Sequence, residues 1–387
     1  MDDIYPRLFF SVSQTTNRMD EQCDLWNAPL PSDRLSPNDT SIISVTIGDY
    51  FSAAEMFITE NNFNIITHAA GYFFARKVGA NDVSTVDICL VKHGRFYHPA
   101  RVTVQLNDKS TMALALNVAV SSEGIACIDR EYAVLEKLGK NGNHLPHVFG
   151  KSSFTLNNDL RVSMFAAQWF EGYHEFHASH DGSDGKIIVW NTETGNYFLS
   201  NAEAYSVYRQ ASYIMTMCYD IETCQQIQPW HHAAGDFVLK NRHGIIDVKL
   251  ITVRQFTSLF ENHIDNEADL IHAALFFLIN LSIRMRLDRV DGIHEIEWLP
   301  DFVVGATVAG FMDALGMKQS HLLGGSCLRD QFLKHISDFN ENDLRDYARM
   351  LIGSYHPNSP DRPVIEARLD FHVASLNQEL KNVTPSQ

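Results

Sequence analysis

The sequence predicts an α+β protein in which a mainly antiparallel, β-rich lobe precedes a mainly helical one. Strand-like alternation punctuated by turns dominates residues 85–170, interrupted by one amphipathic segment. From about residue 201 the apolar spacing becomes helical. The chain has 387 residues, 45% hydrophobic and 20% charged, which is long enough for two or three units with cores of their own.

Taken in order, residues 1–84 read as an N-terminal extension. Within it "TTNRMDEQ" and "PLPSDRLSPNDTS" supply turn and cap residues with little periodicity, and the stretch 41–80 mixes a short β-like start with helical spacing. Residues 85–170 read as the β-rich lobe. There "VSTVDICLVKHGRFYHPARVTVQLNDKSTMALALNVAVS" holds three alternating or β-branched runs split by "KHGRFYHPA" and "NDKS", which predicts an antiparallel meander. In "IDREYAVLEKLGKNG", Tyr132, Leu135 and Leu138 share one helical face and a Gly/Asn cluster stops the helix. "LPHVFGKSSF" and "LRVSMFAAQWF" predict two more strands. Residues 171–387 read as the helical lobe, with helices over "NAEAYSVYRQASYIMTMCYDIETCQQIQ", "LIHAALFFLINLSIRMRL", "FVVGATVAGFMDALG", "SCLRDQFLKHISDF" and "ENDLRDYARMLIG". The polar tail "NVTPSQ" reads as frayed, and no internal repeat is visible.

Charge and cysteine usage narrow the functional classes. A net charge of −16, from 47 acidic against 31 basic side chains without an acidic block, gives a surface that repels polyanions and excludes nucleic acid as a partner. Six cysteines lie in apolar segments and never form C-x-x-C, which predicts reduced core thiols. "MDDIYPRLFFSV" carries acids where an export signal needs positive charge, and "LIHAALFFLINLSI" is shorter than a membrane span and reads as a core helix. The expectation is a cytoplasmic protein without a membrane partner. Nothing in the sequence speaks to its oligomeric state.

The chemistry concentrates in "PWHHAAGDFVLKNRHGIIDVKLI", residues 229–251. "DFVLK" and "IIDVKLI" are β-favouring runs joined by "NRHG", which predicts a hairpin with Asp236 at the mouth of its first strand and Asp247 within its second. Such a hairpin is expected to offer both carboxylates to one divalent cation, and Mg²⁺ favours one or two carboxylates with phosphate oxygens and water. Three other readings stand beside it. The aspartates could cap turns. His231, His232 and Asp236 could form a two-histidine, one-carboxylate transition-metal site, making a His/Asp metal-dependent enzyme. His174, His177 and His180 in "GYHEFHASHD" have helical spacing and could also meet a metal.

A long helix, a loop and this hairpin resemble the kinase-like phosphotransferase superfamily in its aminoglycoside phosphotransferase/choline kinase branch, where a "D-x-x-P-G-N" loop often precedes the hairpin; "HHAAGD" is similar to that loop. The resemblance covers roughly residues 85–350 and implies a bilobal kinase-like fold. It implies His231 at the base position, Asp236 and Asp247 as Mg²⁺ ligands, and ATP as phosphoryl donor to the hydroxyl or amino group of a small-molecule substrate. A second register puts Asn241 at the metal instead, but leaves too few positions before Asp247 for two strands and a turn. "REYAVLEKL" resembles the helix whose glutamate, here Glu131, faces a strand lysine, and "QWFEGYHEF" resembles the segment between lobes. Two departures are plain. The third strand, "MALALNVAVS", offers Asn117 where the family has lysine, leaving Lys92, Lys109 or Lys249 to grip phosphate, and a histidine replaces the base carboxylate. A catalytically inactive, pseudokinase-like binding or regulatory protein is therefore the alternative function.

Overall fold

Apolar residues at every second position build the first sheet. In the computed structural model, β1 (Arg7–Val12), α1 (Ile47–Phe74), β2 (Val83–Leu90), β3 (His98–Leu106), β4 (Thr111–Ala119), α2 (Ser122–Leu138), β5 (Val148–Thr155) and β6 (Arg161–Gln168) follow one another. The strands form one sheet in the order β1-β2-β3-β4-β6-β5, antiparallel except where β1 joins β2. Helix α1 covers one face: Phe51, Phe57 and Ile58 cluster with Ile88, Val102, Leu116 and Val118. Helix α2 covers the other. Asn117 of β4 is the register partner of Phe165, so the two share a face, and the Phe165 ring lies 6.0 Å from that of Tyr132 in α2.

These elements belong to one compact unit, residues 1–142 and 146–171; residues 143–145 and 172–387 form a second. The structure describes residues 6–13, 18–31, 45–94, 96–156, 159–181, 184–228, 230, 232–259, 266–292, 294–320 and 327–384.

Two features of the first unit go beyond the sequence reading. Within the stretch read as an extension, β1 hydrogen-bonds along β2, and α1 supplies the apolar cover without which a sheet face would meet water. Within α1 the chain passes through a left-handed turn at Asn61, Asn62 and Phe63 (φ 49°, 58° and 61°), where asparagine is the side chain that tolerates such backbone best. Helix α2 begins earlier than its apolar spacing suggested, with the Ser121 hydroxyl accepting the Gly124 N–H at 3.1 Å. Glu131 therefore sits in mid-helix, 1% exposed, rather than near the helix start.

The second unit opens with strands where no strand was expected. β7 (Phe176–Asp181), β8 (Asp184–Val189) and β9 (Tyr197–Phe198) form an antiparallel sheet. His177 and His180 thus alternate to opposite faces of β7 and cannot join at one metal; His177 packs against Trp190, ring centroids 4.4 Å apart, and its Nδ1 lies 3.4 Å from Asp288. Then come α3 (Asn201–Cys218), β10 (Gln225–Ile227), β11 (Phe237–Arg242), β12 (Ile245–Leu250), β13 (Phe256–Ser258), α4 (Glu267–Met285), β14 (Leu287–Arg289), β15 (Ile296–Trp298), α5 (Phe302–Leu315), α6 (Leu328–Ile336), α7 (Glu341–Ser354) and α8 (Arg362–Val383). Helix α8 was not anticipated, although a proline in its first turn and buried Ile365, Leu369, Val373, Leu376 and Leu380 carry the helical signature. Helix α4, at 19 residues, is long and apolar enough to cross a membrane, which the shorter window in the sequence was not; 72% of that stretch is buried inside the fold, as a core helix would be. All six cysteines are free thiols; Cys127, Cys218 and Cys224 are buried core thiols as expected, whereas Cys23, Cys89 and Cys327 are only half-buried.

Candidate functional site

Turn chemistry sets the hairpin. His243 and Gly244, at φ 55° and 88°, join β11 to β12 as the left-handed pair that suits strand twist. The Asn241 side chain accepts the Gly244 N–H at 2.8 Å and donates to Glu203 at 2.7 Å, so Asn241 serves the turn. Lys240 pairs with Asp247, and the Ile251 N–H donates to the Asp236 carbonyl at 2.8 Å. The pairs Phe237/Leu250, Val238/Lys249 and Leu239/Val248 lie between. Asp236 and Asp247 therefore stand four ladder steps apart, about 13 Å at roughly 3.3 Å per residue. Mg²⁺ draws its ligands to about 2.0–2.1 Å. The register thus keeps apart the backbone positions that carry the two carboxylates.

Each carboxylate has partners of its own. Asp236, 7% exposed, follows Gly235 (φ 79°) in a tight turn where its own N–H and that of Phe237 donate to the Ala233 carbonyl at 3.3 and 3.1 Å. The Arg254 guanidinium lies 3.3 Å from its carboxylate. His232 Nδ1 donates to the Ala234 carbonyl at 2.8 Å and so braces this turn. His231, the residue at the base position, lies outside the described residues.

Asp247 is the centre of a second cluster. The Tyr173 hydroxyl donates to one of its oxygens at 2.5 Å and Lys249 Nζ to the other at 2.9 Å. Partial burial pushes the Asp247 carboxyl up, but the Tyr173 and Lys249 hydrogen bonds with the Lys249 charge outweigh it, leaving it below its ordinary value and ionised. Burial, together with the Asp247 hydrogen bond and charge, raises the Tyr173 phenol, so it remains a donor. Burial and the Lys249 charge push His144 down, against the opposing pull of Asp247, which favours the neutral ring. Lys240 and Lys249 flank the Tyr173 ring with their ammonium groups 5.6 and 5.7 Å from its centroid. The candidate phosphate cation Lys249 is 9% exposed and already held by Asp247.

The remaining candidates belong to the first unit. Glu131 is buried in α2, and Asn117 lies on the sheet face that α2 covers, so one side of the sheet carries both. Among the described residues, no group of three or more His, Cys, Asp or Glu side chains gathers to hold a metal ion. Sequence reasoning missed Tyr173, His144 and Arg254. No local signal marks them, since Tyr173 lies 74 residues from the carboxylate it binds.

No protein-family model matches this chain, and no curated protein matches it. Among solved structures, an apo pseudokinase aligns over 73% of this chain and 90% of its own at 9% identity, with a TM-score of 0.28. WaaP in complex with acyl carrier protein aligns over 76% of this chain and 88% of its own at 8% identity, with a TM-score of 0.24. Likeness at this level decides neither fold nor activity.

Proposed function

We propose that this chain is a kinase-shaped protein that binds a nucleotide or small molecule without transferring phosphate. Support for the kinase shape comes from element order: three antiparallel strands, a helix with buried Glu131, two more strands, and then a second unit in which α3 precedes the β11–β12 hairpin. The observation that carries the non-catalytic reading is the hairpin register, which sets Asp236 and Asp247 four pairs apart and leaves each beside a cation of the protein itself. Asn117 at the lysine position agrees with it, because an amide brings no positive charge to a phosphate. Free thiols and the acidic surface fit a cytoplasmic protein with no nucleic-acid partner.

A second reading, ATP- and Mg²⁺-dependent phosphoryl transfer to a small hydroxyl- or amino-bearing substrate, is favoured by one feature: Asp247 is ionised with its side chain 50% exposed. One experiment separates the two. The full chain is incubated with γ-labelled ATP and Mg²⁺ or Mn²⁺ over a panel of sugars, amino alcohols and aminoglycosides, with ADP and label followed in parallel. The binding reading expects no ADP above background and no labelled acceptor. ADP production that depends on an acceptor and disappears in Asp247→Asn overturns it in favour of phosphoryl transfer.

A further inference from the structure

Two histidines from different helices of the second unit meet at their ring nitrogens. His272 stands in the second turn of α4 and His335 in the last turn of α6, and their Nε2 atoms lie 2.8 Å apart. The rings are tilted by 57° with centroids 4.8 Å apart, and both residues are half-buried. Other aromatic rings pack around them. The Phe339 ring lies 5.9 Å from His272 and 5.6 Å from His335, centroid to centroid, and that of Tyr347 in α7 lies 6.0 Å from His272. Packing of this kind keeps the two nitrogens together with little reorganisation on binding.

Without a metal the contact is one hydrogen bond, in which one neutral ring donates its Nε2 proton to the lone pair of the other. The same nitrogens suit a metal. Imidazole nitrogens about 2.0–2.1 Å from one ion stand about 2.8–3.0 Å apart at right-angled positions and about 3.3–3.4 Å apart in a tetrahedron. The observed 2.8 Å matches the right angle, the geometry of Ni²⁺ or Cu²⁺ rather than of four-coordinate Zn²⁺. Asp269, one turn earlier on α4, adds a negative charge that acts on His272. Its carboxylate accepts from the Asn266 side chain at 2.6 Å, so it supplies field rather than a third ligand.

We propose that His272 and His335 bind one divalent transition metal of right-angled preference, Ni²⁺ or Cu²⁺, through their two Nε2 atoms, with water completing the coordination. Both rings then carry their proton on Nδ1: the hydrogen-bonded proton shifts within its own ring by exchange with solvent, and none is released. The metal clamps α4 to α6. This site is separate from the hairpin carboxylates and stands whether or not the chain transfers phosphate.

The test is calorimetric titration of the full chain with Ni²⁺, Zn²⁺ and Mg²⁺. One saturable equivalent of Ni²⁺ is expected, bound more tightly than Zn²⁺, with no binding of Mg²⁺ at this pair. His272→Gln and His335→Gln each keep a hydrogen-bonding amide and remove one ligand, and each is expected to weaken Ni²⁺ at least tenfold. His356→Gln, at an exposed histidine of the same unit, is expected to leave it unchanged. A readout on the parent protein needs no variant to fold: Ni²⁺ should protect His272 and His335 from diethyl pyrocarbonate, read by peptide mass spectrometry. Absence of saturable Ni²⁺ binding overturns the proposal. So does equal Ni²⁺ affinity in the parent and both ligand variants, tighter binding of Zn²⁺ than of Ni²⁺, or modification of His272 and His335 that Ni²⁺ does not slow.

Discussion

His372 shows how much a single residue's chemistry depends on its surroundings. It is wholly buried in α8, with Nε2 3.0 Å from the Ser282 hydroxyl. That hydroxyl gives its one proton to the Ile279 carbonyl at 3.0 Å, so the imidazole must donate through Nε2, and Nδ1 is left without a partner. Burial, helped by the charge of Arg286, pushes its pKa from 6.5 down to about 3. A folded value below the unfolded one means that the unfolded chain takes the proton first as pH falls. The stability His372 contributes is full above 6.5 and is lost as pH drops toward 3, by up to about 1.4 kcal/mol per pH unit. Urea unfolding of the parent and of His372→Gln between pH 7 and pH 5, above most carboxylate titrations, should show a flatter pH dependence in the variant; coincident slopes would remove His372 as the source. The candidate site teaches the same lesson. The sequence marked Asp236 and Asp247 as chemically interesting, but whether a carboxylate is offered to a ligand or consumed by Arg254, Lys249 and Tyr173 is a matter of neighbours.

At the scale of elements, the packing of α3 on α5 illustrates what a missing side chain permits. The Ser212 hydroxyl donates to the Thr307 carbonyl at 2.7 Å across this contact. A Cβ added at Gly310 would stand 2.0 Å from the Arg209 carbonyl oxygen and 2.9 Å from the Tyr213 amide nitrogen, both backbone atoms that cannot swing aside. Gly310→Ala should therefore force the helices apart and destabilise the protein by about 3 kcal/mol, near the upper end for overpacking, measurable as a lowered urea midpoint. An unchanged midpoint would mean that the helices can separate freely there. The strands of the first sheet were legible because alternation is local, and so was the hairpin, because "NRHG" specifies its own turn. The strand β7 was not: histidines at 174, 177 and 180 suit a helical face, and only pairing with β8 selects the extended form.

For the molecule as a whole, the net charge of −16 yields a prediction that no local contact alters. The protein should pass unretained over immobilised double-stranded DNA and heparin at about 0.1 M salt, where the Debye length is about 10 Å and repulsion from the acidic surface still acts; retention that weakens with added salt would reveal a basic patch and sink that reading. By itself the sequence determined the kinds and order of most elements, the hairpin and its turn, the free thiols and the acidic surface, all properties of composition or of spacing within about a dozen residues. Tertiary structure alone decided that β1 and α1 complete a sheet and its cover, that Glu131 is buried in mid-helix, and that Asp236 and Asp247 lie beside Arg254 and Lys249. The physical reason is range. Periodicity and turn propensity act between near neighbours, whereas burial, ion pairing and shared ligation depend on residues such as Tyr173 and Asp247, 74 positions apart, that meet only once the chain has folded.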